Sequence, residues 1–239
     1  MTENYTQTYF SAGRKFEARH GYLRFFPAFV VNWYFENYQP RLEKAMRDYE
    51  HYVPDPSAGN ILEIGCGEGT FMEYCGKENI IGLDVWEHGV KKLLEKGFDA
   101  RLSDASKPLQ FKSGTFDTVY SEQVIEHISS GGAFVREINR VLNKGGKAII
   151  RTIDISRSGA WFYTDYTHVS PYTLVSLYRI MEDNGFEIKE ISHGICPPGF
   201  LMRRTVNVAL LFPKFIHDFY FRKICSRFSY EVYVIAVKK

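Results

Sequence analysis

"ILEIGCGEGTF" (residues 61–71) decides the fold: a short apolar run containing one acid, Glu63, then glycines at alternate positions, Gly65, Gly67 and Gly69. A strand buried on both faces reads as such a run, and glycine supplies the left-handed backbone of a tight strand-to-helix turn. Working outward, further apolar stretches fall at 79–84, 98–102, 116–121 and 147–152, separated by helix-length segments or loops such as 70–75, 87–96 and 132–142. This alternation predicts an α/β fold, a mostly parallel sheet with helices on both faces. Beyond 152 a loop with several aromatics leads to "HVSPYT", where Ser170 and Pro171 suit the cap and first position of a helix that Gly185 ends. "FEIKEISHGI" (186–195) and "YEVYVIAVKK" (230–239) alternate as strands do, so the sheet is expected to have seven strands, with these as its last pair.

The stretch between those two strands, 196–229, is too long for a hairpin turn and reads as an inserted cap. Residues 1–55 carry an apolar stripe over about 16–51, interrupted at Pro27 and Pro40, and read as an N-terminal helical extension. The core domain then covers 56–239. With 239 residues and 45% hydrophobic content, one such domain with trimmings is expected.

A net charge of +2 gives no general pull toward nucleic acid, so none is expected as a partner. The first residues lack the basic-then-apolar order of a secretory signal, and "FFPAFVV" (25–31) is far too short to span a membrane, so a cytoplasmic protein is expected. Cys66, Cys75, Cys196 and Cys225 form no C-x-x-C pair; reduced thiols are expected, with no structural zinc and no other metal.

Two classes of ligand use a glycine-rich turn of this kind. A dinucleotide fold wants G-x-G-x-x-G, but Thr70 holds the place of the third glycine here. Glu63, Glu68 and Glu73 crowd the turn with no Lys or Arg beside them in sequence, a poor cradle for a pyrophosphate and a tolerable one for a cation or zwitterion. Charge therefore favours S-adenosylmethionine, with its sulfonium and zwitterionic amino acid end.

From here the sequence resembles the class I S-adenosylmethionine-dependent methyltransferases, whose Rossmann-like fold it is then expected to share. "LEIGCGEG" is similar to their first motif, with Glu63 in the acidic position. "IIGLDV" ends a second strand in Asp84, where the family places the acid that takes both ribose hydroxyls. "LSDASKPLQF" puts Asp104 where an acid often faces the adenine amino group. "FDTVYSEQVIEHI" and "LNKGGKAII" match the fourth and fifth strands with their turns. The resemblance implies cofactor contacts from Glu63, Gly65, Cys66, Gly67 and Gly69 in the loop, from Asp84 and Val85, from Asp104 and Ala105, and from Ser121 and Glu122. The bland alternatives stay open: glycines serving only the turn, Asp84 capping a helix, and Asp104 belonging to an ordinary Ser-Asp-Ala-Ser turn.

The resemblance also implies an acceptor pocket near His127, in "VIEHI", and His168, in "DYTHVSP". Either histidine suits a general base for a hydroxyl acceptor, whose proton must leave during attack. The alternatives are a polar face on a short helix for His127 and a backbone hydrogen bond for His168; Glu122 and Glu126 either orient His127 or face water. "DYTHVSPYT…GF" is similar to methyltransferase type 11/23 enzymes, many of them tied to surface glycans. A small-molecule or glycan hydroxyl, free or lipid-linked, is therefore the expected acceptor. Arg203, Arg204, Lys214, Arg222, Lys223 and Arg227 amid large apolar residues suggest peripheral membrane contact through 199–228, against a plain lid or dimer helix. The rival readings are a non-catalytic S-adenosylmethionine-binding module and a methyltransferase acting on a nitrogen or carbon nucleophile.

Overall fold

The structure, a computed structural model, describes residues 54, 59–76, 78–194, 227 and 229–239. The sheet and its helices belong to one compact unit, Tyr52–Gly194 with Ser229–Lys239. Apart from residues 54, 227 and 229, the expected N-terminal extension (1–55) and inserted cap (196–229) lie outside the described residues.

Strands and helices follow in the order β1 (Ile61–Ile64), α1 (Thr70–Cys75), β2 (Ile80–Asp84), α2 (Glu87–Glu95), β3 (Asp99–Leu102), β4 (Phe116–Glu122), α3 (Gly131–Val141) and β5 (Leu142–Ile153). A short helix α4 (Ile155–Ser158), α5 (Leu174–Asp183), β6 (Phe186–His193) and β7 (Glu231–Lys238) complete it. The seven strands stand in the order β3-β2-β1-β4-β5-β7-β6. β1 pairs in parallel with both β2 and β4, while β7 runs antiparallel between β5 and β6. The direction of winding reverses between β1 and β4, and in open α/β sheets ligands bind at that switch point, outside the carboxyl ends of the strands. The glycine turn after Ile64 and the turn after Glu122 both open there.

Each central strand feeds a core on both faces. Leu62, Ile64, Val119, Ala148 and Ile150 join one apolar layer with Phe134 and Ile138 of α3 and Leu177 and Met181 of α5. Ile61, Tyr120 and Ile149 join the other, with Phe71 and Met72 of α1 and Val90 and Leu93 of α2. Two-sided burial is why these strands read as unbroken apolar runs rather than as alternating ones.

The expected start of α5 needs correction. The cap is Thr173, whose hydroxyl oxygen accepts from the Ser176 N–H at 3.2 Å while the Ser176 hydroxyl oxygen accepts from the Thr173 N–H at 2.8 Å, a reciprocal capping box. Ser170 does other work: its hydroxyl donates to the Ile128 carbonyl at 2.8 Å, and its N–H donates to the Glu126 carbonyl at 3.0 Å. The helix starts where the orphan N–H groups find side-chain acceptors, three residues later than the proline suggested. Thr173→Ala is expected to lower stability by about 1 kcal/mol, read as a shift in the urea midpoint with an unchanged slope, whereas Ser170→Ala leaves α5 capped.

Candidate functional site

The glycine turn is built by main-chain bonds. The N–H groups of Gly65 and Cys66 both donate to the Leu83 carbonyl, at 2.7 and 3.0 Å, and the Gly69 N–H closes back on the Cys66 carbonyl at 2.7 Å. Gly65, Gly67 and Gly69 all take positive φ, 84°, 51° and 83°. They differ in what surrounds them. A Cβ on Gly65 would lie 2.3 Å from Val124 Cγ2, and one on Gly69 would lie 2.1 Å from Leu93 Cδ2, so those two glycines are required for packing. A Cβ on Gly67 would meet nothing within 4 Å.

Asp84, at the end of β2, holds that loop. Its Oδ2 accepts from the Gly67 N–H at 2.7 Å and its Oδ1 from the Trp86 N–H at 2.8 Å. An ionised carboxylate has about four acceptor sites, so the main-chain donors leave at least one for a further donor such as a ribose hydroxyl. Burial pushes the Asp84 carboxyl above its usual range, opposed by the main-chain N–H groups of Gly67, Trp86 and Val85. The helix-capping alternative is also realised in part, because the Trp86 N–H bond sits at the entry to α2.

Glu63 is buried on β1, and Cys66 is buried in the loop. Burial, followed by the nearby Glu63 and Asp84 carboxylates, pushes the Cys66 thiol well above its usual range, so it is an uncharged lining atom rather than a nucleophile. Among the described residues Cys66 is a free thiol, and Cys196 and Cys225 lie outside them. Glu73 departs from the expected crowd of unopposed acids: Lys96, just past α2, reaches it at 2.6 Å, so its charge is spent at the surface. Sequence distance hid this pair, which the packing of α1 beside α2 creates.

On the neighbouring strand ends, Ser121 pairs in register with Ile64 and is fully buried, and its hydroxyl has no hydrogen-bond partner. A buried hydroxyl without a partner calls for a ligand or solvent partner at this point of the sheet. Glu122 is held by the Tyr120 hydroxyl at 2.6 Å and by Arg151. Asp104 sits in a turn after β3, where its Oδ1 accepts from the Ser106 hydroxyl and N–H at 2.6 and 3.0 Å, with Lys107 3.4 Å away. The Ser106 hydroxyl bond is the main cause of a carboxyl held below its usual range. Ala105 is partly buried against the core.

The turn after β4 lies directly against the glycine loop, since Val124 is the residue that a side chain on Gly65 would strike. The Val124 carbonyl accepts from the His127 N–H at 2.9 Å, at the end of a single 3-10 turn, Ile125–His127. The loop after β5 is tied to this turn: the Val169 and Ser170 N–H groups both donate to the Glu126 carbonyl, at 2.9 and 3.0 Å. The two histidine rings thereby come to 4.7 Å between centroids.

Hydrogen bonds fix which nitrogen of each ring carries hydrogen. His168 Nδ1 lies 2.7 Å from the Phe162 carbonyl oxygen, which can only accept. Thr167 Oγ1 donates to the Asp165 carboxylate at 2.6 Å, so it accepts from His127 Nδ1, 2.9 Å away, with the Thr167 carbonyl oxygen at 3.3 Å from the same nitrogen. A neutral ring in either position therefore keeps its basic lone pair on Nε2, and Asp165 Oδ2 stands 3.7 Å from that atom of His168. Burial, then the neighbouring His168, holds His127 below the usual imidazole range, with Asp165 and the Thr167 carbonyl opposing.

Glu126 faces neither water nor the role of orienting His127. It is fully buried, Oε2 accepts from the Thr152 hydroxyl at 2.9 Å, and Oε1 has no hydrogen-bond partner. Burial pushes its carboxyl up to about 8. Thr167, Asp165 and the inward aim of Glu126 were not legible in sequence, because each depends on a contact between segments far apart in the chain.

Gly67→Ala separates the roles of loop and ligand. A residue at this φ costs about 1–2 kcal/mol, and no atom of the protein has to move for the added methyl. The variant is expected to fold with a modestly lower melting temperature and to lose at least about tenfold in cofactor affinity, read by calorimetry.

Comparison with known proteins agrees with this geometry. A family model described as a methyltransferase domain matches residues 19–191. The chain is 28% identical over 169 residues to the human mitochondrial ubiquinone biosynthesis O-methyltransferase, covering 59% of this chain and 45% of that protein. It is 28% identical over 178 residues to a malonyl-[acyl-carrier protein] O-methyltransferase of Legionella pneumophila, covering 66% and 63%. The chain thus spans less than two thirds of the length of either relative. In fold it is similar to a solved S-adenosylmethionine-dependent methyltransferase from Archaeoglobus fulgidus, with a TM-score of 0.62 and 23% identity over 89% of this chain and all of that one. With its glycine turn, its acid at the end of β2 and a family model spanning most of its length, the chain belongs to the methyltransferase domain family.

Proposed function

We propose that the chain binds S-adenosylmethionine over Gly67 and Asp84 and transfers its methyl group to a hydroxyl oxygen of a small-molecule or glycan acceptor. The observation that carries the reading is the pair of histidines, each with Nδ1 engaged and Nε2 available, His127 on the turn that packs against the glycine loop and His168 on the loop tied to that turn. When bound, S-adenosylmethionine supplies a methyl group on a positively charged sulfur, an electrophile that needs no further activation.

The protein's own residues then have two tasks. The loop main chain, Asp84 and the buried Ser121 hydroxyl fix the donor, and the turn carrying His127 sets the acceptor in line with it. As the acceptor oxygen forms its new bond to carbon and the carbon–sulfur bond breaks, its proton passes to Nε2 of His127 or His168. Thr167 and the Phe162 carbonyl hold the rings in the tautomer that can take it.

Oxygen as the acceptor atom is supported by the two relatives, both named as O-methyltransferases. Trp161, Tyr163 and Tyr166 are exposed on the loop that carries His168, and exposed rings suit stacking on a planar or sugar acceptor. Among the described residues no helix is long and apolar enough to cross a membrane. Peripheral contact through 199–228 and a lipid-linked acceptor remain proposals about residues outside those described. The test is incubation of purified protein with methyl-labelled S-adenosylmethionine and host extracts. Label retained as a base-stable ether marks a hydroxyl oxygen as the acceptor; label released as methanol by mild base marks a carboxylate and, like label fixed on nitrogen or carbon, overturns that part of the reading. Cofactor binding without any transfer returns the chain to a non-catalytic binding module.

A further inference from the structure

The histidine pair has a third member that base catalysis does not use. A carboxylate oxygen of Glu126 and one ring nitrogen each from His127 and His168 all lie within 4.8 Å of one another. Ligands of one bound transition-metal ion stand roughly 3 Å apart, as bonds of about 2.0–2.1 Å require. Small side-chain rotations close the difference.

Three observations distinguish this group from a chance cluster of acids. Glu126 is fully buried and its Oε1 has no hydrogen-bond partner. Each imidazole donates through Nδ1 to a fixed oxygen, the Phe162 carbonyl for His168 and Thr167 for His127, so Nε2 is the nitrogen available to an ion, with the Asp165 carboxylate 3.7 Å from that of His168. That arrangement is the one found around metal-bound histidines, where an outer oxygen fixes the tautomer and ring orientation. The third is that Glu126 Oε2 is itself oriented by the Thr152 hydroxyl, and the two chain segments are stapled through the Glu126 carbonyl. A site held this way has its side chains oriented in the absence of an ion, and only the rotations that close the spacing are left to binding.

We propose that Glu126, His127 and His168 form a binding site for one divalent first-row transition-metal ion, of the zinc and cobalt class, with open positions left for solvent or an acceptor oxygen. Two imidazoles and one carboxylate suit such ions better than magnesium or calcium, which favour all-oxygen sites. Ion and acceptor proton draw on the same lone pairs, so a single molecule at a given moment uses them for one or the other. That competition rests on the methyl-transfer reading; the binding of the ion does not.

The test titrates Co²⁺, and then Zn²⁺ in competition, into the full chain freed of metal by dialysis against a chelator, while S-adenosylmethionine binding is followed separately by calorimetry. One Co²⁺ per chain with visible absorption bands, displaced by Zn²⁺, is expected. Glu126→Gln and His168→Ala are each expected to weaken Zn²⁺ by at least about tenfold, and Thr167→Val, which removes only an outer oxygen, by about 10–100-fold. All three variants should still bind S-adenosylmethionine, which shows that they are folded. Absence of cobalt bands and of saturable Zn²⁺ binding in the wild type overturns the site, as does unchanged Zn²⁺ affinity in Glu126→Gln and His168→Ala. If Co²⁺ binds as described while S-adenosylmethionine does not, the ion site stands and the methyltransferase reading fails.

Discussion

Replacing His127 and His168 together by alanine is expected to lower the rate of methyl transfer at least about 100-fold while leaving S-adenosylmethionine affinity within about twofold. The size follows from the chemistry. A hydroxyl is a weak nucleophile until its proton is leaving, and the two Nε2 atoms offer basic lone pairs, one on the turn beside the glycine loop and one on the loop tied to it. The single variants should divide unequally. The ring that receives the proton shows most of the loss, and the other shows the smaller loss of a neighbour that tunes it. Rates measured at saturating cofactor with a labelled acceptor separate this from a binding defect. Equal, unreduced rates in the double variant would mean that the acceptor needs no base, as a carboxylate or thiolate does not.

Asp84→Ala is expected to weaken cofactor binding by about 1–3 kcal/mol, roughly 5- to 150-fold. On the proposed reading the substitution removes the acceptor for the ribose hydroxyls, and it also releases the Gly67 and Trp86 N–H groups that Asp84 holds. Asp84→Asn distinguishes the two effects. It keeps a single carbonyl oxygen for one of the two N–H groups but turns an amide donor toward the other, so the loop loosens even where one hydroxyl is still held. Calorimetry with S-adenosylhomocysteine measures both variants, and an unchanged affinity in Asp84→Ala would remove Asp84 from the site.

The features legible in the sequence are those set by local physics. The alternate glycines mark the turn because L-residues avoid its backbone angles, and the unbroken apolar runs mark strands covered on both faces. Asp84 was legible as the acid that closes the second such run. What escaped depends on pairing between distant segments. β7 slots antiparallel between β5 and β6 through a register that joins Lys147 to Val237 and Phe186 to Lys238, and no periodicity announces such an insertion. Ser170-Pro171 imitates a helix start, yet the N–H groups of α5 are met by Thr173 and Ser176. Glu126 was expected either to orient His127 or to face water, but it is buried completely beside the 3-10 turn.

The central claim is that bare main chain at Gly67, with Asp84 beneath it, receives S-adenosylmethionine. Titration calorimetry of the wild-type chain and of Gly67→Ala with S-adenosylhomocysteine, and in parallel with NAD⁺, measures this most directly. One-to-one binding of S-adenosylhomocysteine to the wild type, at least about tenfold weaker in Gly67→Ala, with no NAD⁺ binding to either, is expected. Heat from NAD⁺ and none from S-adenosylhomocysteine, or equal S-adenosylhomocysteine affinity in the two proteins, would contradict it.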